Sequence, residues 1–177
     1  SSRLAVVGSR KCSEYGKKAI QKIIKELQGR LTIVSGLAKG IDTVAHLTAM
    51  ETKAPTIAIL GSGIDLCYPK ENQKTYDYIK ENGLLLSEYP LNTAPDQHHF
   101  PTRNRLIAAL SHTLLVAEAS EHSGTAYTIQ SALEFGKDIL CLPHSIFSEH
   151  HYTNRLIRDG AILVERGQDI LEEFKFE

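Results

Sequence analysis

Apolar residues in this chain fall into short continuous runs, separated by stretches in which they recur every three or four positions. Leu4-Ala5-Val6-Val7-Gly8, Leu31-Thr32-Ile33-Val34, Thr56-Ile57-Ala58-Ile59-Leu60-Gly61, Leu84-Leu85-Leu86-Ser87, Thr113-Leu114-Leu115-Val116-Ala117 and Asp138-Ile139-Leu140-Cys141-Leu142-Pro143 all have strand length. They do not alternate with polar residues, which is the pattern of strands covered on both faces. Between the first two runs, Ala19, Ile20, Ile23, Ile24 and Leu27 keep helical spacing, and Lys17, Lys18, Lys22 and Lys25 make a solvated face. Gly29 is placed to cap that helix. Further helices are predicted over Ile41 to Met50, Glu71 to Glu81, Arg103 to Leu110, Thr125 to Phe135, near Thr153 to Arg158, and over Gln168 to Phe174. A last strand is predicted from Ala161 to Val164. The segment Glu88 to Pro101 holds three prolines and no periodicity, so it reads as a long loop, and loops of that length are commonly functional. Strand and helix alternate throughout. The fold class is therefore α/β, a mainly parallel sheet with helices on both faces, and residues 1–177 read as one domain.

Composition narrows the function. The net charge is -1, so a polyanion would have to be met by a local basic patch. Apolar residues make up 42% and charged residues 23%, ordinary values for a globular chain with its own core. No apolar run is long enough to span a membrane, and the N-terminus shows no signal-peptide pattern. The three cysteines, Cys12, Cys67 and Cys141, are widely spaced and odd in number. They read as reduced thiols of a cytoplasmic protein, with neither a disulfide framework nor a zinc site.

The candidate chemistry lies in the turns that follow the strands. Val34-Ser35-Gly36-Leu37-Ala38-Lys39-Gly40-Ile41-Asp42 is a glycine-bearing turn from strand to helix. Gly36 and Gly40 leave backbone uncovered and allow a positive φ. A helix starting there directs free N–H groups at an anion, and Lys39 adds a full charge. The bland alternative is a tight turn with an exposed lysine. Ser9-Arg10-Lys11, Phe100-Pro101-Thr102-Arg103-Asn104-Arg105 and Ser123-Gly124-Thr125 are three more such turns. All four would share the carboxyl edge of a parallel sheet, where open α/β sheets bind ligands. Together they supply arginines for bidentate phosphate binding, hydroxyls, amides and the Phe100 ring, on which a base could stack. The competing reading for Arg103 and Arg105 is pairing with acids such as Glu88 or Asp96, which would only pin the loop. Asp42 is expected to cap or pair within its own turn. Glu88, Glu118 and Glu134 complete the acids available for proton transfer, but no catalytic set has recognisable spacing. His98-His99 and His150-His151 are adjacent pairs whose side chains diverge in extended chain. No metal site is expected, and His98 and His99 are placed at the rim of the anion site.

Taken in order, Ser35 to Asp42 followed by His46, Tyr68-Pro69, Leu86-Ser87-Glu88-Tyr89-Pro90, Phe100 to Arg105 and Ser123-Gly124-Thr125 resemble the DNA-processing protein A (DprA, also called Smf) family. The resemblance runs from Leu4 to about Phe174. It implies an extended Rossmann-like domain that binds single-stranded DNA without a cofactor and without chemistry. It also implies a homodimer that protects incoming DNA in natural transformation and loads the RecA recombinase. By the same resemblance, Arg10 touches DNA phosphates, Phe100 meets a base, and Arg103 and Arg105 belong to an Arg-Asn-Arg motif around Asn104.

Two departures from the family pattern stand out. The fifth-strand turn reads Ser123-Gly124-Thr125-Ala126-Tyr127-Thr128 where the family has Ser-Gly-Ser and then an aliphatic-Thr pair. Pro143-His144 stands where the family has Pro-Gly, which puts a bulky residue near the expected site. The helical and winged-helix domains that flank the family core are absent from this chain, so it is expected to be an excised core or a minimal member. The alternative function is a nucleotide-cleaving enzyme of the related Lonely Guy-type fold, in which a Gly-Thr turn precedes a glutamate. Thr128 or Ile129 stands about where that glutamate would be.

Overall fold

A computed structural model of the protein describes residues 1–174. The strands are β1 (Arg3–Val7), β2 (Thr32–Ser35), β3 (Thr56–Leu60), β4 (Leu84–Ser87), β5 (Thr113–Val116), β6 (Asp138–Cys141) and β7 (Ile162–Leu163). The helices are α1 (Glu14–Glu26), α2 (Ile41–Glu51), α3 (Gln73–Asn82), α4 (His99–Ala109), α5 (Gly124–Glu134), α6 (Tyr152–Arg158) and α7 (Gly167–Leu171). The strands form one seven-stranded sheet in the order β4-β3-β2-β1-β5-β6-β7. Every neighbouring pair is parallel. The predicted α/β class and the Rossmann-like arrangement are the observed ones.

Burial follows from the pleat. Leu4 and Val6 of β1 face α1, α2 and α7, packing with Ile20, Ile24, Ile41 and Ile170. Ala5 and Val7 face the other way, toward Ile107 of α4 and Ile129 of α5. A third cluster packs Tyr76 and Ile79 of α3 on Ala58, Leu60 and Leu85. Both faces of the central strands are thus dry, which explains why their sequences are continuously apolar.

The chain leaves β1 toward β2 on one side and later returns to place β5 on the other. A crevice opens at this switch point, outside the carboxyl ends of β1 and β5.

Three local expectations need correction. The helix predicted from Arg103 begins four residues earlier, at His99, and the preceding loop shortens to match. Pro101 is its third residue, where the backbone N–H has no intrahelical acceptor, so the missing donor costs nothing. In the turn after β2, the positive φ angles belong to Leu37 (60°) and Gly40 (79°), whereas none is found at Gly36. The helix predicted from Glu71 starts as a 3-10 turn, Lys70–Asn72, before α3. The Tyr68–Pro69 peptide bond is cis. All three cysteines are free. Among the described residues, no helix is long and apolar enough to cross a membrane.

Candidate nucleic-acid interface

The switch-point crevice is a cavity of about 620 Å³. The turn after β1 contributes Ser9, Arg10 and Lys11, α4 contributes Phe100, Arg103 and Asn104, and the start of α5 contributes Ser123, Gly124 and Thr125. Ala38 and Asp42 come from the turn after β2, and Tyr68 from the loop after β3. A smaller cavity of about 60 Å³ adjoins it, lined by Gly36 and Lys39. Arg10, Tyr68, Phe100 and Arg103 line both. Residues from all four segments singled out in the sequence line this crevice, the third as part of α4 and without Arg105.

The β1–α1 turn is held from below. Ser13 caps α1, its Oγ accepting the Gly16 N–H at 3.0 Å. Glu118, at the end of β5 and fully buried, accepts the Ser13 N–H at 3.0 Å and the Ser13 hydroxyl. Its carboxylate occupies the place a side chain at Gly16 would take: a Cβ there would meet Glu118 Oε1 at 2.1 Å. The sequence marked Glu118 only as an available acid. Its hydrogen-bond partner Ser13 lies 105 residues away and carries no local signal. Above this staple, the Ser9 hydroxyl exchanges hydrogen bonds with the Lys11 backbone and folds its own turn. Arg10 and Lys11 remain exposed and form no ion pair among the described residues.

The other predicted cations are committed elsewhere. Arg103 is 3% exposed, and its Nη1 donates to the carbonyls of Gly36 at 2.7 Å and Ile59 at 2.6 Å. Its Nε donates to Asn104 Oδ1 at 3.0 Å. Burial pulls its pKa down to about 10, with Asp42 acting in the opposite direction, so it stays charged at neutral pH. Arg103 shows the cavity a small edge and serves mainly to tie α4 to the ends of β2 and β3. Arg105 lies outside both cavities and pairs with Glu88, one of the partners expected for it from the sequence. Lys39 pairs with Glu71 at 2.8 Å, and both side chains are well exposed.

The hydroxyls and acids divide similarly. Ser35 is fully buried and donates to Val6 O at 2.7 Å, so it joins β2 to β1 and presents nothing to a ligand. Asp42 is buried and accepts the Gly36 and Ala38 N–H groups at 3.1 and 3.4 Å, so it acts within its own turn as expected but does not cap α2. Burial pushes its carboxyl above the ordinary range, against the pull of Arg103. Gly36 is required by contact: a Cβ there would stand 2.7 Å from Arg103 Cζ and 2.8 Å from Asp42 Oδ2. Gly40 is required twice over, by its φ and by Ser9 O, which a Cβ would meet at 2.2 Å. His99 is not at the anion site. Its Nδ1 lies 2.9 Å from Gly61 O and its ring stacks on Tyr89. His144 also lies outside both cavities, fixed by Nε2 to Ala117 O at 2.7 Å and packed edge-on to Tyr15.

The wall made by α5 stays open. Ser123 donates to Ser120 O, and its side chain does not cap the helix. A Cβ at Gly124 would meet nothing within 4 Å. The first amides of α5 and its positive dipole end thus border the cavity beside Arg10. Asn104 Nδ2 reaches Gly124 O at 3.4 Å and links α4 to α5. Thr128 and Ile129, which stand about where the enzyme alternative has its glutamate, are buried.

The aromatic part of the site is a ladder. Phe100 is half-buried, with Arg10 Cζ 5.1 Å and Arg103 Cζ 5.5 Å from its ring centroid. The Tyr68 ring stacks on it, centroids 5.6 Å apart and planes 20° from parallel. Tyr68-Pro69 was visible as a motif, but the stack joins residues too far apart in sequence for spacing to reveal.

The seven-stranded parallel sheet and the open switch-point cavity, with cationic and aromatic side chains in its lining, define a Rossmann-like protein. The chain belongs to the DNA recombination-mediator protein A family, whose model matches residues 1–175. DNA processing protein DprA of Streptococcus pneumoniae is 48% identical over 179 residues, covering 98% of this chain and 62% of that protein. Its X-ray structure superposes with a TM-score of 0.96 over 99% of this chain. Protein Smf of Escherichia coli is 40% identical over 99% of this chain and 48% of its own length. DNA processing protein A of Helicobacter pylori, whose structure was described for its single-stranded DNA binding mode, is 28% identical. It matches with a TM-score of 0.88, over 98% of this chain and 82% of that one. The chain spans about half to two thirds of the lengths of its curated relatives from S. pneumoniae and E. coli.

Proposed function

We propose that this chain binds single-stranded DNA in the switch-point cavity as a recombination mediator and performs no chemistry on it. The observation that carries the reading is the juxtaposition of unpaired Arg10 and Lys11, the open amino end of α5 and the Phe100–Tyr68 ladder around one cavity. Cations and amides suit phosphates, and rings suit unpaired bases. The relatives named above support this choice over a small nucleotide, as does the absence of an acid at Thr128 or Ile129. On the same reading the protein protects incoming DNA in the cytoplasm, acts as a homodimer and loads RecA. Light scattering at high micromolar concentration tests the dimer, and RecA filament formation on protein-coated DNA tests the loading.

The direct test of binding is fluorescence anisotropy with labelled oligo-dT, beside an assay for base release from AMP. The expected result is saturable oligonucleotide binding, no base release, and clear weakening by Arg10→Ala. Base release from AMP would establish the enzyme reading instead. Arg10→Ala binding oligo-dT like wild type would place the site elsewhere.

A further inference from the structure

The ring that sequence reasoning offers to a DNA base, Phe100, is already engaged. It is half-buried, two guanidinium groups stand over it, and Tyr68 stacks on it. A side chain at Gly61 would come within 2.8 Å of it, so it is also pressed against the end of β3. Tyr68 is the outer rung. It is 44% exposed, and no hydrogen bond to its hydroxyl is found among the described residues. An exposed aromatic ring with a fixed ring behind it loses little freedom when a third ring stacks on it.

The loop that carries Tyr68 is itself held in place. Ser62 donates to Leu66 O, Tyr76 donates to Ile64 O at 2.5 Å, and Asn72 donates to Leu37 O at 2.9 Å. The ring is thus presented on a supported loop, bordering the large cavity and the small one at once. Arg10 lines the same two cavities, and Lys39 lines the small one.

We propose that Tyr68 is a base-stacking subsite for single-stranded DNA, in which one base lies on the exposed Tyr68 ring and the flanking phosphates meet Arg10 and Lys39. The subsite rests on the DNA-binding reading above and extends it from the large cavity onto the small one. Phe100 then acts mainly by backing Tyr68. Lys39 reaches a phosphate by exchanging its exposed pair with Glu71, which is weakly held in water.

The chain has seven tyrosines and no tryptophan, so its intrinsic fluorescence comes from tyrosine. The probes are oligo-dT and an oligonucleotide of equal length with abasic sugars, which keeps the phosphates and removes the bases. Tyr68→Ala should weaken oligo-dT binding roughly 5- to 150-fold, the range for loss of one stacked base. Its affinity for the abasic strand should match that of wild type. Tyr68→Phe should restore oligo-dT binding, and Tyr68→Leu, which keeps apolar bulk without a ring, should not. Oligo-dT should also quench wild-type fluorescence more than that of Tyr68→Phe. Equal losses on both probes, or restoration by leucine, would overturn the stacking role. Unchanged oligo-dT binding by Tyr68→Ala, with Arg10→Ala still weakened, would overturn the subsite alone. Wild-type binding by both variants would overturn the subsite and place the DNA site outside this cavity, and no oligo-dT binding by the wild-type protein would overturn the DNA-binding reading itself. Melting temperatures near wild type confirm that the variants are folded.

Discussion

Arg103 illustrates how a cation in a binding motif becomes part of the frame. Its guanidinium satisfies two buried carbonyls and lies beside buried Asp42. Arg103→Ala should therefore destabilise the fold by about 1–3 kcal/mol, because it leaves the buried Gly36 and Ile59 carbonyls without their donor. Arg103→Lys should not restore it, since an ammonium lacks the planar fork. Urea denaturation reads both, and an Arg103→Ala variant of wild-type stability would refute the framing role. His46 carries a second prediction at this scale. It is fully buried, and its Nδ1 lies 2.7 Å from Thr56 Oγ1. Burial lowers its pKa to about 3 from the ordinary 6.5, so the folded protein keeps it neutral. As pH falls below 6.5, the unfolded chain takes up a proton that the folded chain refuses. The stability it contributes is complete above pH 6.5 and is lost as pH falls toward 3. Between pH 7 and 5, the stability gap between wild type and His46→Gln should narrow by up to about 2 kcal/mol. A constant gap would show that His46 titrates normally in the fold. The pairing of Arg105 with Glu88 was legible in the sequence as one of two readings, because the candidate acids were close by. The burial of Arg103 was not, because its acceptors come from the turn after β2 and from β3, far along the chain.

Glycines show what each element demands of the turn before it. Gly40 begins α2 with φ 79° and carries the β1–α1 turn against its α-carbon. Gly40→Ala should lower stability by more than 1 kcal/mol, through both backbone strain and the clash with Ser9 O. Gly124 begins α5 with open space around it. Gly124→Ala should raise stability by about 0.4–1 kcal/mol by restricting the unfolded chain. Thermal melting distinguishes them, and equal effects would show that the two helix starts are equivalent. The sequence marked both turns as places where chain and ligand approach closely. It placed the left-handed residues at Gly36 and Gly40, whereas the fold uses Leu37 and Gly40. Gly36 is fixed by side chains arriving from α2 and α4, a demand with no local trace.

For the molecule as a whole, affinity for DNA has to arise locally, since the net charge is -1. Of the five cations near the site, Arg10 and Lys11 are unpaired, Lys39 and Arg105 are in exposed pairs, and Arg103 is buried. Each single-strand phosphate contact contributes about 0.7 to the slope of log affinity against log salt. Contacts from Arg10, Lys11 and Lys39 give a slope of about -2.1, and Arg10→Ala should flatten it by about 0.7. A slope unaffected by Arg10→Ala in a salt titration with oligo-dT would remove Arg10 from the phosphate path. The amino-acid sequence by itself determined the element order, the parallel sheet and the meeting of four segments at one edge. Those follow from apolar runs, helical spacing and turn residues, which act over a few positions. Only the tertiary structure decided which charges stay free, that Glu118 staples the Arg10 turn, and that Tyr68 covers Phe100. Each of these depends on a partner distant along the chain, and burial and pairing are settled by that partner's position in space.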